Sequence, residues 1–272
     1  MNTRRRSAHR PRFAGFTLVE VMISMTIVGI CMAMCMSTFL IGSRMMYKDT
    51  IRLQTNASLR YFTAQMAKET VDSSEFYLLP DYTKLDGSID IDASDGSSDL
   101  AVPAADSWGT MLASGDCIVL VTRTSLDTGA RVRQFRIYYR VCKTADVNFQ
   151  APVRYYESQD YGTTGTADSL TSLLNAVNLS SNTTYTRNAT TQTISSSSNY
   201  ARTGDSNRQI TATAKGRRIG STSNYYPIFC SEGPVVTATN ESFSINVEFI
   251  QGNRTINMLS SSSFNYTVSP RR

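Results

Sequence analysis

Histidine is almost missing from this 272-residue chain, with His9 the single example. His9 sits in an arginine-rich stretch at the start, so the remainder has no imidazole at all. That excludes Ser-His-Asp and Cys-His nucleophile systems and zinc sites of the usual histidine-containing kind. No Gly-Lys dipeptide occurs, which excludes a P-loop and ATP hydrolysis by that device. No catalytic, cofactor-binding or metal-ligating set is read from the residues, and the chain is expected not to be an enzyme. Acidic residues are absent from positions 1–15, which hold Arg4, Arg5, Arg6, Arg10 and Arg12. Taking those five from the 27 Lys and Arg leaves 22, equal to the 22 Asp and Glu. The chain from Phe16 onward is therefore formally neutral. Its pI of 9.0 reflects the first residues, and a global attraction to nucleic acid is not expected.

Charge is also scarce in the next stretch. FTLVEVMISMTIVGICMAMCMSTFLI, residues 16–41, contains Glu20 as its only charged side chain. The 21 uncharged residues 21–41 span about 30 Å as a helix, the thickness of a bilayer's hydrocarbon core. Arginines on the N-terminal flank put residue 1 in the cytoplasm and the bulk of the chain outside it. The run is too long for a secretory signal and lacks a small-residue cleavage site after it. The residues after Thr3-Arg4-Arg5-Arg6 do not fit a twin-arginine signal. An uncleaved anchor fits the hydropathy but leaves Glu20 unexplained. A carboxylate in an apolar helix costs about 2.5–3.5 kcal/mol near the bilayer centre and less near its edge. Such a residue calls for a partner.

Arg12-Phe13-Ala14-Gly15-Phe16-Thr17-Leu18-Val19-Glu20 resembles the processing site of type IV prepilins and type II secretion pseudopilins. The resemblance implies that a prepilin peptidase cuts between Gly15 and Phe16, that Phe16 becomes an N-methylated terminus, and that Glu20 is the family's assembly glutamate. Glu20 would then pair with the Phe16 amine of a neighbouring subunit, relieving the charge and setting axial register. The implied layout is an α+β pilin-like fold. It has a basic leader (1–15), a long helix (16–76, membrane-spanning over about 21–41), and an antiparallel β-rich domain (77–272) outside the cytoplasm. The expected location is the bacterial inner membrane, single-pass, with later incorporation into a filament.

Past the span, Tyr47, Ile51, Thr55, Leu59, Phe62 and Met66 recur every three or four residues and predict a helix packed on its own domain. The proline that many major pilins carry within this helix is missing. Farther on, 117–123 (CIVLVTR) reads as a buried strand. Phe135, Ile137, Tyr139 and Val141 alternate with polar neighbours, as do Phe243, Ile245, Val247 and Phe249. A turn is expected at Gln251-Gly252-Asn253, followed by strands at 255–259 and 264–268. Residues 160–225 are rich in Ser, Thr and Asn and predict an exposed loop with one short helix at 168–178.

Three lesser constellations stand beside these. Cys117 and Cys142 could pair in an oxidising compartment, but five cysteines, with Cys230, Cys31 and Cys35, make no framework. Asp86, Asp90, Asp92, Asp95 and Asp99 resemble a calcium loop in composition and fail the EF-hand spacing, so they read as a solvated acidic turn. Arg202, Arg208, Lys215, Arg217 and Arg218 with Tyr200, Tyr225 and Tyr226 read as a solvated loop before a nucleic-acid patch.

In size and layout the chain is similar to W-type minor pilins of type IV pili and to J-type minor pseudopilins. The resemblance implies a structural assembly subunit whose partners are prepilin peptidase and other pilins or pseudopilins. Alternatives are a secretion pseudopilin and a pilus-tip adhesin or DNA-binding subunit.

Overall fold

A computed structural model describes residues 15–91, 99–101, 104–105, 111–125, 130–141, 151, 153–177, 179, 183–187, 192–196, 206–209, 214–216, 227–232, 242–253 and 258–270. It separates into two compact units, one ending at Asp49 and the other running from Thr50 onward. The architecture is α+β: a long apolar N-terminal helix, then antiparallel sheets.

The helix α1 runs unbroken from Leu18 to Val71. No proline interrupts it, since none lies between Pro11 and Pro80. In the first unit its side chains are almost all exposed, Met22, Met25, Met32 and Phe39 among them. In the second unit one stripe is buried: Ile51, Thr55, Phe62, Met66, Glu69 and Thr70. This is the expected three-and-four spacing, with Leu59 packed at its margin, while Tyr47 is 45% exposed. The helix stops five residues before the expected end at 76, because Glu75–Leu79 is strand β1. Its consecutive apolar residues Phe76, Tyr77, Leu78 and Leu79 gain more from pairing with a neighbouring strand than from another helical turn.

The first sheet has the order β1-β4-β5-β6-β9, every neighbour antiparallel. Here β4 is Cys117–Arg123, β5 Val132–Arg140, β6 Val153–Glu157 and β9 Ser206–Gln209. Helix α1 packs on the face that carries Tyr138: the Phe62 ring meets it edge-on at 6.0 Å, and Tyr138 meets Tyr155 at a tilt, their centroids 4.9 Å apart. Tyr138 donates its hydroxyl hydrogen to Glu69, whose other oxygen accepts from Gln65 Nε2 at 2.9 Å. Burial, reinforced by Glu69, pushes the Tyr138 and Tyr155 phenols far above their ordinary range. The β5 alternation predicted a half-exposed strand, yet Tyr138 to Val141 are all buried. Helix α1 closes the face that alternation alone would leave to water.

The second sheet has the path β10-β12-β11-β3-β2, with β13 on the other edge of β12. These are β2 Ala104–Ala105, β3 Met111–Gly115, β10 Ala214–Gly216, β11 Phe229–Glu232, β12 Phe243–Asn253 and β13 Met258–Val268. Gln251, Gly252 and Asn253 pair with Ser260, Leu259 and Met258, so they are strand and not turn. One long hairpin replaces the expected three short pieces, because the uninterrupted β13 ladder satisfies the backbone across the glycine. Phe243 of this sheet meets Phe76 of β1 at 5.0 Å, joining the two sheets through one aromatic core.

The chain crosses from the second sheet to the first at Gly115-Asp116. A Cβ at Gly115 would sit 1.9 Å from the Leu79 carbonyl oxygen, so only glycine allows this approach. Asp116 is fully buried and holds three other segments: its N–H donates to Pro80 O, its carbonyl accepts from Arg140 N, and its carboxylate accepts from Ile228 N and from the buried Arg140 guanidinium.

Within 160–225 the described residues include regular elements. Helix α2, Leu170–Val177, buries Leu170, Leu173, Leu174 and Val177, within the expected 168–178. Strands β7 (Thr183–Arg187) and β8 (Gln192–Ser196) form a two-stranded hairpin, β9 joins the first sheet, and β10 joins the second. Composition argued for a loop because such edge strands are held by main-chain hydrogen bonds, which polar side chains do not advertise.

Candidate functional site

Helix α1 begins with a reciprocal cap. Thr17 is the residue before the first helical position, Leu18, and Glu20 is the third. The Thr17 N–H and hydroxyl both donate to Glu20 Oε2 at 2.9 Å, and Glu20 N–H donates back to Thr17 Oγ1 at 3.3 Å. This is a capping box: each side chain satisfies a backbone donor that the helix itself leaves unpaired. Glu20 is exposed, and its second oxygen, Oε1, has no partner among the described residues. One oxygen is thus committed to starting the helix and the other is open to an incoming donor.

The two residues flanking the expected cut lie just ahead of this box. Phe16 is 84% exposed. A Cβ at Gly15 would meet nothing within 4 Å, so the fold does not itself demand glycine there. Arginines 4, 5, 6, 10 and 12 and His9 lie outside the described residues.

Beyond the box the helix is compatible with hydrocarbon. Ser24, Thr26, Thr38 and Ser43 turn their hydroxyls onto Glu20, Ile23, Met34 and Leu40 carbonyl oxygens, at 2.6 to 3.0 Å. These polar groups therefore need no water. Among the described residues α1 is the one helix long and apolar enough to cross a membrane.

A family model for the prokaryotic N-terminal methylation motif matches residues 10–36. The chain is type IV prepilin-like. The match spans the end of the basic stretch, the box and most of the apolar run, and leaves the β-rich unit outside it. No curated protein and no solved structure matches the chain. The prepilin-like family is structural and non-enzymatic, and its motif implies processing by a prepilin peptidase and interaction with other pilin-like chains.

Sequence reasoning singled out Gly15, Phe16 and Glu20 and did not pair Thr17 with Glu20. The signal was present: Thr-x-x-Glu ahead of an apolar run is a helix-start signature. The other constellations are described only in part. Cys117 and Cys230 are buried free thiols, burial raising that of Cys117, and Cys142 lies outside the described residues. Asp86 is held below the usual carboxylate range by hydrogen bonds from Ser88, and Asp99 is bound by Lys84 at 2.8 Å. Among the described residues no acidic, histidine or cysteine cluster could hold a metal ion. Asp92 and Asp95 lie outside them, as do Arg202, Arg217, Arg218, Tyr200, Tyr225 and Tyr226.

Proposed function

We propose that this prepilin-like protein is a minor pilin, a structural and assembly subunit of a type IV pilus. Prepilin peptidase removes residues 1–15 by cutting after Gly15, and Phe16 becomes the methylated N-terminus. The mature chain waits in the inner membrane with its β-rich unit on the extracytoplasmic side, then enters a bundle of helices. Lipid contacts are exchanged there for apolar helix packing.

The observation that carries this reading is the half-engaged Glu20 carboxylate. The Thr17 N–H survives a cut ahead of Phe16, so the box persists in the mature chain. Oε1 remains to receive the Phe16 amine of a neighbouring subunit. The same glutamate then starts its own helix and sets the register of the next. The large β-rich unit, with two sheets and a hairpin, supports a minor subunit over a compact major one.

Mass spectrometry of the cellular protein tests the processing step. The expected mature form begins at methylated Phe16; a form still beginning at Met1 defeats the proposal. The role of Glu20 has a sharper test, because glutamine serves a capping box as well as glutamate does. If the charge sets register, Glu20→Gln and Glu20→Ala should both enter the membrane normally and both fail to enter the filament. If Glu20 serves only as a cap, Glu20→Gln should assemble like the native chain.

A further inference from the structure

Arg44-Met45-Met46-Tyr47-Lys48 follows the apolar run directly, separated from Ile41 by Gly42 and Ser43. All five are exposed: Met45 and Met46 at 62% and 72%, Tyr47 at 45%, and both cations as well. Neither Arg44 nor Lys48 has an ion pair among the described residues, and Asp49 is the only acid between 21 and 68.

Position decides what these cations meet. With the span ending at Ile41, the Arg44 Cα lies about 4.5 Å and the Lys48 Cα about 10 Å beyond the hydrocarbon edge. The polar headgroup layer is about 5–8 Å deep on each side. Helical side chains lean toward the N-terminus, so both long cationic side chains reach back into that layer. Residues four apart share a helix face, so the two charges converge on one side. Tyr47 and the two methionines bring an interfacial aromatic and apolar surface to the same depth. Cations on this flank also oppose the orientation set by the leader arginines, and an anionic partner at the surface offsets that conflict.

We infer that Arg44 and Lys48 form a binding site for the phosphate of an anionic phospholipid in the extracytoplasmic leaflet of the membrane. The inference rests on the membrane-spanning reading of residues 21–41 and not on the choice of pilus. The attraction of two such cations is expected to enrich an anionic headgroup about 10-fold over a zwitterionic lipid.

The test uses the full chain reconstituted in nanodiscs of phosphatidylcholine with a minor fraction of phosphatidylglycerol. Native mass spectrometry then counts the lipids retained on the released protein. Phosphatidylglycerol should be retained about 10-fold above its bulk share, and the double variant R44Q/K48Q should bring it back to that share. R60Q/K68Q removes the same charge farther from the span and should leave retention unchanged. No enrichment on the native chain, or an equal loss in both double variants, overturns the site. So does a carbodiimide cross-link in cells from Lys48 to another subunit's carboxylate combined with no lipid enrichment, which would assign these cations to a protein partner. Failure of the chain to enter the nanodisc would overturn the spanning reading itself, an outcome distinct from insertion without lipid selection.

Discussion

Replacing Asp116 by alanine is expected to destabilise the β-rich unit by about 3–5 kcal/mol, the range for breaking a buried ion pair from one side. Much of that loss comes from what remains. Arg140 is fully buried, and without the Asp116 carboxylate its guanidinium charge has lost its counter-charge in a dry interior. Ile228 N–H loses its acceptor at the same time. Total domain stabilities are typically about 5–15 kcal/mol, so the variant should be close to unfolding at ambient temperature. Urea denaturation of the detergent-solubilised protein would measure it. The double variant Asp116→Leu with Arg140→Met removes both charges and should recover a large part of the loss. An Asp116→Ala protein as stable as the native one would show that the pair does not hold the sheets together.

The second large effect concerns orientation. Replacing Arg4, Arg5, Arg6, Arg10 and Arg12 by glutamine should invert or randomise the chain in the membrane. Five arginines precede the span, whereas Arg44, Lys48, Arg52 and Arg60 lie within 20 residues after it. The native excess on the cytoplasmic side is a single charge, and the variant leaves none against four. Protease digestion of spheroplasts would reveal it. The β-rich unit of the native chain should be cleaved from outside, and that of the variant should be largely protected. An unchanged pattern would mean that the leader charges do not set topology.

The N-terminal motif was legible because everything in it is local. Gly15, Phe16, Thr17 and Glu20 lie within six residues, and the helix that follows is written in an unbroken apolar run. Strand β4 was legible to the residue, Cys117–Arg123, because a short apolar run is sufficient for a central strand. The stripe on α1 was visible from Ile51 to Met66, but Glu69 on the same stripe was not, since its partner Tyr138 lies 69 residues away. Asp116 and Arg140 read as ordinary polar residues for the same reason. A buried ion pair is a property of two distant positions, and neither carries it alone. Strands β9 and β10 were hidden in a Ser- and Asn-rich stretch because the edges of existing sheets recruit them.

The unbroken α1 helix has a mechanical meaning. On the proposed assembly role, a subunit drawn into or out of a filament is hauled by its N-terminal end, and a helix without a proline hinge passes tension along its length with little stretch. Within the β-rich unit that tension arrives where Phe62, Met66 and Glu69 are seated on the first sheet, so the contacts are sheared together and not peeled one by one. Six residues after Glu69 the chain enters β1, whose five rungs to β4 lie in the line of pull. Failure there requires many interactions to rupture at once.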